Sequence, residues 1–306
     1  MTPAPRSVAL LGPTASGKSA VAMAAARRVL DVELVCVDAM QVYRGMDIGT
    51  AKPTRSEQAE VRHHLIDIVD VSAEFTVAEF RVAARGAMDD ITRRGRTALL
   101  VAGTGLYHRV VIDGIDLPGR WPEVRAELDE DAAQVGAAAL HVRLAELDPV
   151  AAARMEPTNA RRVVRALEVC IGSGRAFSSF GPGLDVYPPN QVAQVGLRWQ
   201  REVLARRIER RVQGMIDAGL VGEVAGLLEG SISRTARQAL GYKEVIEHLD
   251  GRCTLDAAVA MIVQGTRQLA VRQERWFRRD PRVRWIDIEA DPVAEALPAV
   301  LDALAR

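Results

Sequence analysis

An eight-residue glycine loop near the start of the chain constrains its fold more than any other feature. Residues 12–19 read Gly-Pro-Thr-Ala-Ser-Gly-Lys-Ser and match the phosphate-binding pattern G-x-x-x-x-G-K-[S/T]. The apolar run 8–11 before it predicts a strand, and the Ala-rich run 20–28 after it predicts a helix. Backbone N–H groups of such a loop surround a phosphate, and the helix N-terminus adds partial positive charge. We therefore expect a polyphosphate site in which Lys18 neutralises phosphate oxygens and the Ser19 hydroxyl binds Mg²⁺.

The composition is that of a globular protein. The 306 residues allow one large domain or two of ordinary size. The 40 basic and 40 acidic residues cancel, so any surface that binds nucleic acid must be a local patch. The three cysteines are scattered without a metal or disulfide spacing. The predicted first strand leaves no room for a signal peptide, and no apolar run could span a bilayer. We therefore expect a cytoplasmic protein.

An acidic residue follows the second predicted strand. The predicted strand Val32–Val37 is apolar except for Glu33 and is followed by Asp38. The carboxyl end of a parallel strand is where ligands bind in such folds. From the residue type alone, Asp38 could hold Mg²⁺ through water, act as a base, or be only a turn carboxylate. Residues 39–53 are polar and punctuated by glycine without a regular period, which predicts an ordered functional loop.

A third strand is predicted at Thr97–Ala102, after a helix over residues 76–94 that begins with a capping box. ATPases often place a Mg²⁺-binding acid at the end of such a strand. Here Thr104 stands in the sequence Gly-Thr-Gly, which argues against plain ATP hydrolysis and places a hydroxyl at the ligand-binding edge. The doublet His63–His64 lacks the partners of a metal site, so we interpret it as structural.

Residues 113–191 have no strand candidates and predict a helical insertion into a core formed by residues 1–112 and 192–306. Its predicted helices are 122–135, 137–147 and 159–171. The third helix carries Arg161, Arg162 and Arg165, of which the first and last share a face. These arginines could contact phosphates or form a solvated cationic face, and the sequence leaves both open.

Arginines recur in the second half of the core. Arg207 and Arg211 share one face of a predicted helix, and guanidinium groups suit phosphate oxygens. The remaining predicted elements are a strand at 191–197, a helix at 201–215, a basic glycine-hinged turn at 237–243, a helix at 255–279 and a strand at 283–286.

These segments together resemble the bacterial tRNA dimethylallyltransferases, also called tRNA isopentenyltransferases. The resemblance is colinear over nearly the whole chain, and its most specific motif is residues 38–53. The other matching segments are 12–19, 103–107, 165–169, 241–242, 266–270 and 276–279. The resemblance implies an α/β fold with a P-loop NTPase-like parallel sheet, flanking helices and a helical insertion that contacts the tRNA anticodon arm.

The resemblance also implies an activity. The family transfers a dimethylallyl group from dimethylallyl pyrophosphate to N6 of the adenosine just 3′ of the anticodon. Asp38 would be the general base, Thr104 would bind the leaving pyrophosphate, and Arg211 would stabilise its charge, with Mg²⁺ at Ser19. The implied donor-binding residues are Gly12, Thr14, Ala15, Ser16, Gly17, Lys18 and Ser19. The implied tRNA-binding residues are Asp38, Ala39, Met40, Gln41, Thr104, Arg125, Arg161, Arg162, Arg165, Arg237, Gly241 and Tyr242.

Four positions depart from the family pattern without removing a proposed catalytic group. Ser19 stands where many members have threonine, which keeps the hydroxyl, and Arg161 stands where a glutamine is frequent. Ala39 stands where a serine is common, and Ala102 stands where a glycine is common. Three alternatives remain: a P-loop small-molecule kinase, an adenylate isopentenyltransferase that uses free AMP, ADP or ATP, and a non-catalytic nucleotide switch or RNA-binding protein. The first predicts ATP dependence, the second needs no RNA-contact segments, and the third leaves Asp38, Thr104 and Arg211 unexplained. We expect a monomer.

Overall fold

The computed structural model describes residues 7–115, 117–180 and 183–306. Contacts divide the chain into two compact units: unit 1 comprises residues 1–113 and 189–306, and unit 2 comprises residues 114–188. The insertion expected at 113–191 is thus a few residues wider than the observed unit 2.

Unit 1 is built on a parallel sheet. Its described strands are β1 Ser7–Leu11, β2 Val32–Val37, β3 His63–His64, β4 Thr97–Ala102, β5 Ala193–Trp199 and β6 Val283–Ile288. They lie in the order β3-β2-β4-β1-β5-β6, and every pair is parallel. The strands β1 and β2 are buried along their whole length, as expected of a sheet covered by helices on both faces.

The register brings three strand ends to one edge of the sheet. Ala102 pairs with Leu11 of β1 and with Val37 of β2, so the loops that follow these strands leave side by side. The predicted bounds of β2 and β4 are confirmed, and so is the α/β parallel-sheet fold.

Unit 2 contains a short 3₁₀ helix at Phe177–Ser179. The α-helices surround the sheet in unit 1 and form the rest of the regular structure described in unit 2. In chain order they are α1 Lys18–Arg28, α2 Arg55–Glu60, α3 Val77–Arg93, α4 Gly105–Asp113, α5 Pro122–Leu147, α6 Pro149–Ala153, α7 Ala160–Ser173, α8 Arg201–Asp217, α9 Leu220–Leu228, α10 Arg234–Arg237, α11 Tyr242–Leu249, α12 Leu255–Phe277 and α13 Pro292–Ala305. The predicted turn at 237–243 is the connection between α10 and α11. None of the helices in the described ranges has the length and apolar character that crossing a bilayer requires.

Unit 2 has its own apolar core. Helix α5 is interrupted at Gly136, whose φ of 82° separates the two helices predicted on either side of it. Helix α7 packs on α5, and the buried core includes Leu128, Leu144, Val163 and Leu167. Residues 117–180 therefore form a helical insertion with a core of its own.

Candidate active site

The phosphate loop, residues 12–19, turns sharply between β1 and α1. Ala15 and Gly17 have φ values of 62° and 95°, in the left-handed region. Gly17 caps α1 without a side-chain hydrogen bond, and the first turn of this helix holds no acidic residue. The N–H groups at the helix N-terminus therefore face no competing carboxylate of their own turn and suit an anion.

Three side chains bond to the backbone of the phosphate loop. Gln273 Oε1 accepts from the backbone N–H of Thr14 at 2.8 Å. Arg207 Nε donates to the carbonyl of Ala15, and Trp199 Nε1 donates to the carbonyl of Ser16, both at 2.9 Å. The Arg207 guanidinium also lies 4.3 Å from the centroid of the Trp199 ring, a cation–π contact.

The two contacts to loop carbonyls orient the N–H groups of the following residues. The C=O of Ser16 and the N–H of Gly17 belong to one trans peptide and point in opposite directions. The hydrogen bond from Trp199 to the Ser16 carbonyl therefore turns the Gly17 N–H to the other side of the loop. The hydroxyl of Ser16 is buried and has no hydrogen-bond partner in the described structure. A bound phosphate would supply the missing partner.

Two cations and one carboxylate meet beside the loop. Lys18 Nζ donates to the carbonyl of Pro13 at 2.8 Å. Burial, and then the neighbouring Arg211 cation, lower the pKa of Lys18 to about 7, while Asp38 opposes that shift. Burial likewise lowers the pKa of Arg211 against the pull of Asp38. A cavity of about 380 Å³ adjoins the loop and is lined by Ala15, Gly17, Arg207, Arg210 and Arg211.

Asp38 is fixed at the end of β2. Its Oδ1 accepts from the N–H groups of Met40 at 2.8 Å and Gln41 at 3.3 Å. A Cβ placed on Gly103 would lie 3.6 Å from Asp38 Oδ2 and 4.0 Å from Lys18 Nζ. The structure therefore brings Asp38, Lys18 and the turn that contains Thr104 to one point, as the sequence predicts.

The loop that follows Asp38 is ordered by a residue that the sequence analysis missed. Glu223 of α9 accepts from the N–H groups of residues 47–49 at 2.7 to 3.3 Å. The Tyr242 hydroxyl also donates to Glu223, at 2.6 Å, and its ring leaves no room for a Cβ on Gly49. The prediction of an ordered loop is confirmed, but no local motif marks Glu223, because the loop N–H groups that it accepts lie about 175 residues away in the chain.

The candidate tRNA-binding residues differ in their exposure. Arg161, Arg162 and Arg237 are exposed. Arg165 donates to Glu168 at 2.7 Å and to the carbonyls of residues 118 and 119 at 2.9 Å, so it supports the fold of unit 2. Tyr242 is fully buried, and its contact with tRNA stays a prediction.

The remaining members of that set have local partners. Gly241 is buried at the start of α11, Arg125 donates to Asp129 at 2.9 Å, and Gln41 Nε2 donates to the carbonyl of Thr50 at 3.1 Å. Ala39 and Met40 are half-buried. These contacts give the residues structural roles, and their contact with tRNA stays a prediction.

The residues present fit a Mg²⁺ ion that is shared with a phosphate ligand. Within the described ranges, no group of three or more His, Cys, Asp or Glu side chains could hold a metal. Mg²⁺ often takes one or two protein oxygens and completes its shell with phosphate and water. The exposed Ser19 in the first turn of α1 offers such an oxygen beside the phosphate loop.

The fold and the site define a parallel α/β protein with a glycine loop of the phosphate-binding sequence pattern after β1 and a carboxylate at the end of β2. The family model described as IPP transferase matches residues 41–280. This chain therefore belongs to the IPP transferase family, and the resemblance drawn from the sequence is confirmed.

Individual relatives agree with this assignment. The chain is 48% identical over 299 residues to a tRNA dimethylallyltransferase of Streptomyces avermitilis, covering 96% of this chain and 94% of the relative. It is 48% identical over 286 residues to that of Geobacter metallireducens, with 92% of each covered. The solved tRNA isopentenylpyrophosphate transferase of Bacillus halodurans has a TM-score of 0.70 at 39% identity, covering 99% of this chain and 97% of that one. A eukaryotic dimethylallyltransferase acting on tRNA, 24% identical with a TM-score of 0.73 over 92% of this chain and 74% of that one, shares the fold.

Proposed function

We propose that this protein is a tRNA dimethylallyltransferase of the cytoplasm that acts as a monomer. It moves a dimethylallyl group from dimethylallyl pyrophosphate to N6 of the adenosine 3′-adjacent to the anticodon and releases pyrophosphate. The observation that carries the proposal is the placement of the Asp38 carboxylate beside Gly103 and Lys18, at the mouth of a phosphate loop. A proton acceptor and an anion site thus lie within a few ångströms of each other.

The chemistry needs both groups. The N6 lone pair is delocalised into the adenine ring, so N6 is a poor nucleophile until Asp38 takes its proton. The N6–carbon bond forms as the carbon–oxygen bond to pyrophosphate breaks, and the pyrophosphate leaves with the electron pair. Lys18, Arg211 and the loop N–H groups stabilise the leaving charge, each by about 3 kcal/mol. Mg²⁺, held by Ser19 and pyrophosphate, would neutralise part of the same charge.

The reaction also requires that the protein bind the RNA tightly enough to expose the target adenine. The target adenine must leave its stack, at a cost of a few kcal/mol. Contacts from the exposed arginines of unit 2 to the phosphates of the anticodon arm offset this cost. Thr104 lies just after the end of β4 and contacts both the leaving pyrophosphate and the RNA.

One assay separates this function from its rivals. The protein is incubated with labelled dimethylallyl pyrophosphate and Mg²⁺, with unmodified tRNA or AMP as acceptor, each with and without ATP. We expect label in tRNA without any need for ATP. Transfer to AMP but not to tRNA indicates an adenylate isopentenyltransferase, and a requirement for ATP hydrolysis indicates a kinase-like reaction. Either result would contradict the proposal.

A further inference from the structure

We propose that Gln273 is a positioning residue that sets the distance between the bound donor and the acceptor adenine. One end of its amide accepts from the backbone N–H of Thr14 in the phosphate loop, at 2.8 Å. The other end, Nε2, donates to the carbonyl of Gly103, also at 2.8 Å. One side chain from α12 therefore connects the donor loop to the acceptor turn, which we define as residues 103–105. The inference rests on the proposed function, because that function makes these two segments the two halves of the reaction site.

The link lies where the sheet no longer connects the two segments. The ladder between β1 and β4 ends at Leu11 and Ala102. Beyond that pair the backbones separate into the phosphate loop and the acceptor turn. Gln273 connects them at Gly103, one residue after Ala102, and at Thr14, three residues after Leu11. A Cβ on Gly103 would lie 3.6 Å from both Gln273 Nε2 and Asp38 Oδ2. The amide thus acts directly beside the proposed base.

Helix α12 makes the link rigid. Trp276, almost one turn after Gln273, fills the space in which a side chain on Gly105 would lie. The same helix buries Ala270 and Phe277 in the core of unit 1. Because Gln273 and Trp276 contact the acceptor turn from one helix, the turn cannot shift relative to the phosphate loop without breaking packing or a hydrogen bond.

The replacement Gln273→Met tests the role because methionine has similar length and volume but makes neither hydrogen bond. A misplacement of about 1 Å between reacting groups can cost roughly 10²-fold in rate. We therefore expect kcat to fall by about 10²-fold. The dissociation constant of inorganic pyrophosphate with Mg²⁺ should stay within about threefold, because Lys18, Ser19 and Arg211 remain.

Two further variants complete the design. Gln273→Glu keeps an acceptor for the Thr14 N–H but loses the donor to the Gly103 carbonyl, so it should lose rate as Gln273→Met does. Gln264→Met is the matched control, because Gln264 is exposed on the same helix. Single-turnover transfer to tRNA is measured for all of them, with pyrophosphate affinity by calorimetry.

The outcomes are distinct. If the wild-type protein transfers the label and the rate of Gln273→Met stays within twofold of the wild-type rate, the positioning role is overturned and the proposed function is left intact. A parallel loss of rate and pyrophosphate affinity would also overturn it, since Gln273 would then only shape the donor loop. A wild-type protein without transfer would overturn the proposed function, and this inference with it.

Discussion

At the scale of single residues, Lys18 shows how burial changes chemistry. Its pKa is lowered to about 7 by burial and by Arg211. The free protein therefore holds a mixture of charged and neutral Lys18 near neutral pH. A pyrophosphate beside the amine favours its charged form. Above pH 7, donor binding must then include the uptake of a proton.

This linkage predicts weaker binding at higher pH. The dissociation constant of pyrophosphate should rise with pH above about 7, by up to about tenfold per pH unit, because one proton is taken up with the ligand. Calorimetry in two buffers of different ionisation enthalpy measures that uptake directly. Lys18→Arg is the control, since arginine keeps its charge and leaves only the ligand's own titration. Equal proton uptake in the wild type and this control would contradict the role of Lys18.

Asp38 is tested by replacement with asparagine. Asp38→Asn keeps an acceptor for the Met40 N–H but cannot take a proton. General-base catalysis contributes roughly 10²- to 10⁴-fold, so we expect a fall in kcat of that order with little change in tRNA or donor binding. If Asp38 held Mg²⁺ instead, donor affinity would fall and high Mg²⁺ would partly restore it. Single-turnover rates across a Mg²⁺ series separate these roles, and a rate within twofold of the wild type would leave Asp38 a turn carboxylate.

Sequence reasoning finds some of these residues and misses others for a physical reason. Lys18 and Ser19 belong to a local motif, and Asp38 directly follows a buried strand. Trp199 and Gln273 contact the phosphate loop from 183 and 259 positions away. Nothing local marks such a side chain, because its role exists only once the chain has folded.

At the scale of elements, helix α9 determines the order of the loop after β2. The Glu223 carboxylate accepts three backbone N–H groups and the Tyr242 hydroxyl. Glu223→Gln removes the charge and should cost about 2 kcal/mol of stability, since hydrogen bonds to charged groups contribute about 1.5–3 kcal/mol. Tyr242→Phe removes the hydroxyl that donates to the same carboxylate and should cost about 1.5–3 kcal/mol for the same reason. Urea unfolding measures the loss of stability in both variants. Amide exchange at residues 47–49 should accelerate in Glu223→Gln. Unchanged protection of these amides would contradict the anchoring role.

Elements differ in how well the sequence predicts them. The bounds of β2 and β4 follow from mostly apolar runs that are largely buried, with Glu33 as the charged residue within β2. Strand β3 has two residues and exists because Leu34 pairs with His63, which no local pattern shows.

Helix α13 follows Asp291, which caps it, but contains Pro298, which interrupts a helical pattern. Packing against α1 stabilises α13 despite this proline.

At the scale of the whole molecule, the zero formal charge requires that RNA binding come from local patches. Arg161 and Arg162 are exposed in the first turn of α7, and within the described ranges neither guanidinium has an acidic partner. Arg165 differs, because its replacement would remove one donor from the buried Glu168 and the Arg165 donor from two carbonyls. A test of RNA contact should therefore spare Arg165.

The double replacement Arg161→Ala and Arg162→Ala should weaken tRNA binding and reduce the slope of log K against log salt by about 2, or about 1 for each lost phosphate contact. The affinity for pyrophosphate should not change, because unit 2 contains no part of the phosphate loop. The control is Arg93→Ala with Arg306→Ala, which removes the same charge from exposed helix ends of unit 1. If both double variants have the same slope, the loss reflects net charge alone and the α7 arginines form only a solvated face. A reduced slope confined to the α7 variant would show that phosphates of the RNA lie against unit 2.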